Sequence, residues 1–167
     1  PTETMSPKSD EAGDVYQLEN WIADDNTEQL EYYFKYCYIS INRADVVISH
    51  VKGAPQITKE AQDRILGEAY FLRAWSWFNL VRNFGIVPVG NKVPSSMDEL
   101  YDIIIRDASR AESLMKVNKK YGCVDKVAAQ ALLAKAYLTV ASSKENNVSK
   151  YAQSKRDVKE MYDSCAF

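Results

Sequence analysis

Apolar residues recur every three or four positions along most of this chain, the spacing of helices that bury one side. Between Thr27 and Val51 the stripe runs Leu30, Phe34, Cys37, Ile41, Ala44, Ile48 and Val51, with Asn26 or Thr27 as the cap. Tyr32, Tyr33, Tyr36 and Tyr38 widen that face; half-buried rings with wet hydroxyls are the expectation, and a contact surface is the alternative. Lys52 to Ile57, with Gly53 and Pro55, predicts a turn. The helix that follows starts at the cap Thr58, with Glu60 in its first turn, and stops at Gly85, three residues before Pro88. From Ala69 to Phe84 nearly every position is apolar, which predicts a spine surrounded by other helices. Arg73, Asn79 and Arg82 interrupt it, so it does not read as a membrane span. Arg73 among large apolar neighbours needs acceptors, and Asp45 and Asp107 are the candidates.

Gly85 to Pro94 reads as an extended loop, after which Ser96-Met97-Asp98-Glu99 forms a capping box. The helix it opens carries Leu100, Ile103, Ile104, Ala108, Ala111, Leu114 and Met115 on one face and ends near Lys116. Asp125 caps an alanine-rich helix over residues 126–141, and a last helix from about Ser149 presents Tyr151, Val158, Met161, Tyr162 and Cys165. Residues 1–25, broken by Pro1, Pro7 and Gly13, are expected to be mostly irregular. The prediction is an all-α chain of five helices in antiparallel pairs. Leu66-Gly67-x-x-Tyr70, Leu133-Ala134-x-x-Tyr137 and Tyr151-Ala152 are partial matches to tetratricopeptide units.

The chain has 167 residues, enough for one domain with a core, and a net charge of −2, which argues against a nucleic-acid partner. Three cysteines, Cys37, Cys123 and Cys165, do not form a disulfide framework and read as small buried hydrophobes. The single histidine, His50, lies at a helix end, where interaction with terminal carbonyls is expected, and one histidine excludes a multi-histidine metal cluster within the chain. The Arg64–Glu68 pair, four apart, is a surface ion pair. No glycine-rich nucleotide loop, HExxH, CxxC or GxSxG pattern occurs. The chain therefore reads as a non-enzyme, with no cofactor and no metal. Tyr16 and Trp21 in the N-terminal segment are the candidate ligand platform, because an aromatic face stacks on a sugar ring, with Asp10, Glu11 and Asn20 to supply hydrogen bonds. Packing of both rings onto the helices is the competing reading.

Gly67-Glu68-Ala69-x-Phe71-Leu72-Arg73-Ala74-Trp75, continuing as Phe78-x-Leu80-Val81-Arg82-x-Phe84-Gly85-x-Val87-Pro88, resembles the signature of the SusD/RagB family. Ser9-Asp10-Glu11, Ile41-Asn42-Arg43-Ala44-Asp45-x-Val47-Ile48, Tyr101-x-x-Ile104-x-x-Asp107 and the run from Ala128 to Leu138 extend the resemblance in order along nearly the whole chain. Asp45 stands where the family usually has Asn. The resemblance implies a tetratricopeptide-like α-α superhelix in an outer-membrane, surface-exposed nutrient-binding lipoprotein. Such a protein works without catalysis beside a SusC-like TonB-dependent transporter and captures an oligosaccharide or other nutrient. Family members are several times longer, so residues 1–167 are expected to be a single helical domain from the N-terminal part. Membrane association would come through a lipid anchor not present in this chain. No binding role is carried onto Arg73 or Trp75. A helical-repeat scaffold for protein–protein interaction is the alternative.

Overall fold

The computed structural model describes residues 14–19, 22–24, 27–94, 96–117, 122–142 and 156. The described helices are α1 (Asp14–Glu19), α2 (Glu28–Val51), α3 (Lys59–Phe84), α4 (Met97–Leu114) and α5 (Lys126–Ala141). Among the described residues, β-structure is limited to an isolated bridge between Val89 and Lys92, around the turn at Gly90. The all-α expectation holds. The last predicted helix, from Ser149, lies outside the described residues except for Arg156.

The helix ends follow the capping chemistry of the sequence. Thr58 Oγ1 accepts from Ala61 N at 3.3 Å, Ser96 Oγ from Glu99 N at 3.4 Å, and Asp125 Oδ1 from Ala128 N at 3.1 Å. Gly85 adopts φ 74°, and its amide donates to Val81 O, which closes α3. Within the segment expected to be mostly irregular, Asp14–Glu19 forms the short helix α1; it contains neither glycine nor proline to prevent one. Thr27 does not cap α2 in the expected way. Its hydroxyl turns back, accepting from Asp24 N at 3.0 Å and donating to Gln17 Oε1 at 3.0 Å, which ties α1 to the start of α2.

The chain forms two compact units, Pro1–Ile39 and Ser40–Phe167. In the second unit successive helices run antiparallel. Along α2 and α3, Gln62 Nε2 donates to Val51 O at 2.8 Å, Arg73 pairs with Asp45, and Ser76 Oγ lies 3.0 Å from Ser40 Oγ. Residues move apart in one helix as they move back in the other. Along α3 and α4, Gly67 lies against Met115 at one end, and Phe78 meets the edge of Tyr101 at the other, centroids 6.4 Å apart. Ile48, Leu66, Ala69, Tyr70, Ala111, Met115 and Ala129 share one core cluster. Trp77, Leu80 and Val81 are buried beside it.

The spine is not covered all round. Leu72 is 46% exposed and Trp75 40% exposed. Ser76 faces α2, Gly67 and Phe78 face α4, and Arg73 reaches both, so two sides of α3 are used. The remaining side carries Trp75, which stacks with Phe71 and Phe78 and has Lys135 Nζ 5.8 Å from its ring centre. Arg73 takes both expected partners, Asp45 and Asp107. His50 Nδ1 lies 2.8 Å from Val46 O, in line with its expected place among terminal carbonyls. Arg64 pairs with Glu68 at 2.9 Å. Cys37 and Cys123 are free thiols, half-buried rather than buried; Cys165 lies outside the described residues.

Candidate functional site

The first unit carries a surface of tyrosines. The helical period of α2 points Leu30, Phe34, Cys37 and Ile41 to one side and places Tyr32 and Tyr36 roughly 130–170° away from the centre of that stripe. Tyr36 is 63% exposed, Tyr32 39% and Tyr33 40%. Four residues apart, the rings of Tyr32 and Tyr36 lie 6.3 Å centre to centre at 37°. Tyr32 donates its hydroxyl to Glu28 Oε1 at 2.6 Å, a charge-assisted bond that fixes the ring. That bond, and then the charge of Glu28, raise the Tyr32 phenol above its ordinary range. Burial raises the Tyr33 phenol and the Cys37 thiol.

Tyr16, one of the two candidate platform residues, sits on α1 and is 53% exposed. The Gln17–Thr27 bond holds the helix that bears it. Trp21, the other candidate, lies outside the described residues, as do Asp10, Glu11 and Asn20. Tyr32, Tyr33 and Tyr36 are more exposed than half-buried rings on a widened apolar face would be, which favours the contact-surface alternative. Their angular distance from the Leu30–Ile41 stripe was the signal that Tyr32 and Tyr36 point outward.

In the second unit, a cavity of about 570 Å³ opens between the start of α3 and the end of α4. Its floor is Leu114, Met115 and Val124. Its rim consists of paired charges: Lys59 with Asp63 at 2.6 Å, and Lys116 with Glu60 at 2.8 Å. Lys116 is the first cause of the lowered Glu60 carboxyl, and Glu60 of the raised Lys116 ammonium. Among the described residues, the cavity lining includes no aromatic face on which a sugar could stack. Among the described residues, no group of three or more His, Cys, Asp or Glu side chains could hold a metal ion.

A family profile described as starch-binding and associating with the outer membrane matches residues 3–138. A SusD superfamily protein from Parabacteroides distasonis is 26% identical, with a TM-score of 0.81 over 92% of this chain and 35% of that one. A structure solved with a xylogluco-oligosaccharide is 19% identical, with a TM-score of 0.78 over 90% of this chain and 33% of the other. B. fragilis NanU is 24% identical, with a TM-score of 0.70 over 78% and 28%. These last two are alike in fold alone. This chain spans about a third of the length of the first solved relatives that it matches. No curated protein matches it. The profile runs from before α1 through most of α5 and takes in the spine and its arginine, so the chain belongs to the SusD-like family.

Proposed function

We propose that this chain is the N-terminal, tetratricopeptide-like part of a non-catalytic glycan-binding protein at the surface of the outer membrane. The observation that carries the reading is the exposed tyrosine surface of the first unit, in a chain whose family is described as starch-binding. Flat, exposed rings offer apolar area to sugar faces. One structural relative was solved with a xylogluco-oligosaccharide, which supports the ligand class. In this reading the protein captures the oligosaccharide and hands it to a SusC-like TonB-dependent transporter. No helix among the described residues is long and apolar enough to cross a membrane. Attachment through a lipid anchor outside these residues fits the family's association with the outer membrane. Calorimetric titration of the full-length protein with neutral oligosaccharides tests the reading, and saturable heat is expected. Co-purification of a transporter of the SusC type tests the partnership.

A second reading, a helical-repeat interaction scaffold, is favoured by the exposed side chains Leu72, Trp75 and Leu138. It predicts no glycan heat and a protein partner lost on Trp75→Ala.

A further inference from the structure

We infer that the tyrosine surface of the first unit takes uncharged glycans and turns away anionic ones, with Tyr32 and Tyr36 as its stacking pair. The inference rests on the glycan reading above and narrows it. Charge is distributed very unevenly along this chain. Residues 1–39 hold nine Asp or Glu and two Lys, a net charge of −7, although the whole chain carries −2. Residues 40–167 therefore carry +5. The tyrosines sit within the acidic part.

The local arrangement agrees with the overall count. Glu28 holds the Tyr32 hydroxyl at 2.6 Å, and Glu31 adjoins it in sequence. Lys35 is the one cation in the stretch of α2 that precedes Ser40, and it offsets only one of these two carboxylates. Glu28 at the hydroxyl and Glu31 next in sequence make the field at Tyr32 negative, and both raise its phenol, the Glu28 bond first. A uronate or sialate brought to these rings would meet like charge within the screening distance of about 8 Å at physiological ionic strength. An uncharged pyranose meets no such penalty. It can lay its C–H face on one ring and direct hydroxyls to the Glu28 carboxylate, which has further acceptor capacity beyond the Tyr32 bond. Two rings 6.3 Å apart and inclined at 37° suit successive residues of a curved oligosaccharide rather than one flat sugar.

The test is calorimetry on the full-length protein with maltoheptaose, a xylogluco-oligosaccharide, tetragalacturonate and sialyllactose. Wild type, Tyr36→Ala and Glu31→Lys are compared, each with a melting curve. At least one neutral probe should bind, and Tyr36→Ala should weaken it about three- to tenfold, the range for one aromatic contact. The anionic probes should bind at least about tenfold more weakly at low salt, with the gap closing near 1 M, where screening shortens to ~3 Å. Glu31→Lys should close part of that gap without losing the neutral probe. An anionic probe bound as tightly as the neutral ones would overturn the selectivity and leave the glycan reading standing. Neutral binding untouched by Tyr36→Ala would overturn the stacking pair. Failure of every probe with an intact melting curve would overturn the glycan reading itself.

Discussion

Arg73 of α3 and Asp107 of α4 form a two-pronged pair: Nε donates to Oδ2 at 2.7 Å and Nη2 to Oδ1 at 2.9 Å, with the carboxylate fully buried. Asp45 of α2 accepts from Nη1 of the same guanidinium. One arginine thus joins three helices. The Arg73 and Arg110 guanidinium carbons each lie 5.4 Å from the Tyr70 ring centre, so the aromatic ring shares the same cluster of charge.

Truncating Asp107 strips the mostly buried Arg73 guanidinium of its two-pronged partner and leaves it only the more exposed Asp45. Asp107→Ala should therefore cost about 3–5 kcal/mol, the range for breaking a buried ion pair. Replacing both partners with apolar residues, Arg73→Met with Asp107→Leu, should recover much of the loss. Urea unfolding of the two variants checks both statements.

Trp77 is buried on the α3 stripe that includes Leu66, Ala69, Leu80 and Val81. Trp77→Ala should cost roughly 3–5 kcal/mol, which could unfold a domain of ordinary stability. An unchanged melting curve would show that α3 does not face a core at this point.

Gly67 is packed against Met115: a Cβ there would run into the methionine Cγ and lie 3.3 Å from its Sδ. Gly67→Ala gains about 1 kcal/mol in helix propensity but overpacks the α3–α4 contact, which costs about 1–3 kcal/mol. The single variant should be less stable than wild type. In a Met115→Ala background the same change should be stabilising, and thermal melting of the four proteins reads that reversal of sign.

The scaffold was legible in the sequence because its signals are local. Thr58, Ser96 and Asp125 each cap the helix that follows, and Gly85 closes α3 with a positive φ. The partners of Arg73 were legible because a buried guanidinium requires carboxylates, and few acidic residues lay on facing stripes. The exposed side of α3 was not. A run that is apolar at nearly every position carries no angular contrast, so Leu72 and Trp75 read like Trp77. α1 was missed because six residues give too short a window for any period. Of the candidate platform, Tyr16 is exposed as a ligand-facing ring must be, while the outward side of α2 had to be read from helix geometry rather than from residue type.

Cys37 should react slowly. Burial raises its thiol above the ordinary range, so less thiolate is present at pH 8 than in an unstructured peptide. Raising the pH through the elevated pKa should restore reactivity. Iodoacetamide labelling across a pH series, read at the Cys37 peptide by mass spectrometry, should give a midpoint above that of the same peptide after unfolding. A midpoint at or below the unfolded value would contradict the half-buried placement.

The central claim, glycan capture through the aromatic side chains of the N-terminal segment, is tested most directly by measuring affinity and melting together on Trp21→Ala and Tyr16→Ala in the full-length protein. Tyr16 is exposed, so its loss should leave the fold intact. Oligosaccharide affinity should fall by about 1 kcal/mol or more in each variant, in line with a partly buried aromatic contact, with the melting temperature unchanged. The 167 residues by themselves, which span about a third of the length of the first solved relatives, should bind more weakly than the full-length protein. Variants that melt earlier yet bind the oligosaccharide with wild-type affinity would contradict the account, and would make these rings packing residues rather than a sugar platform.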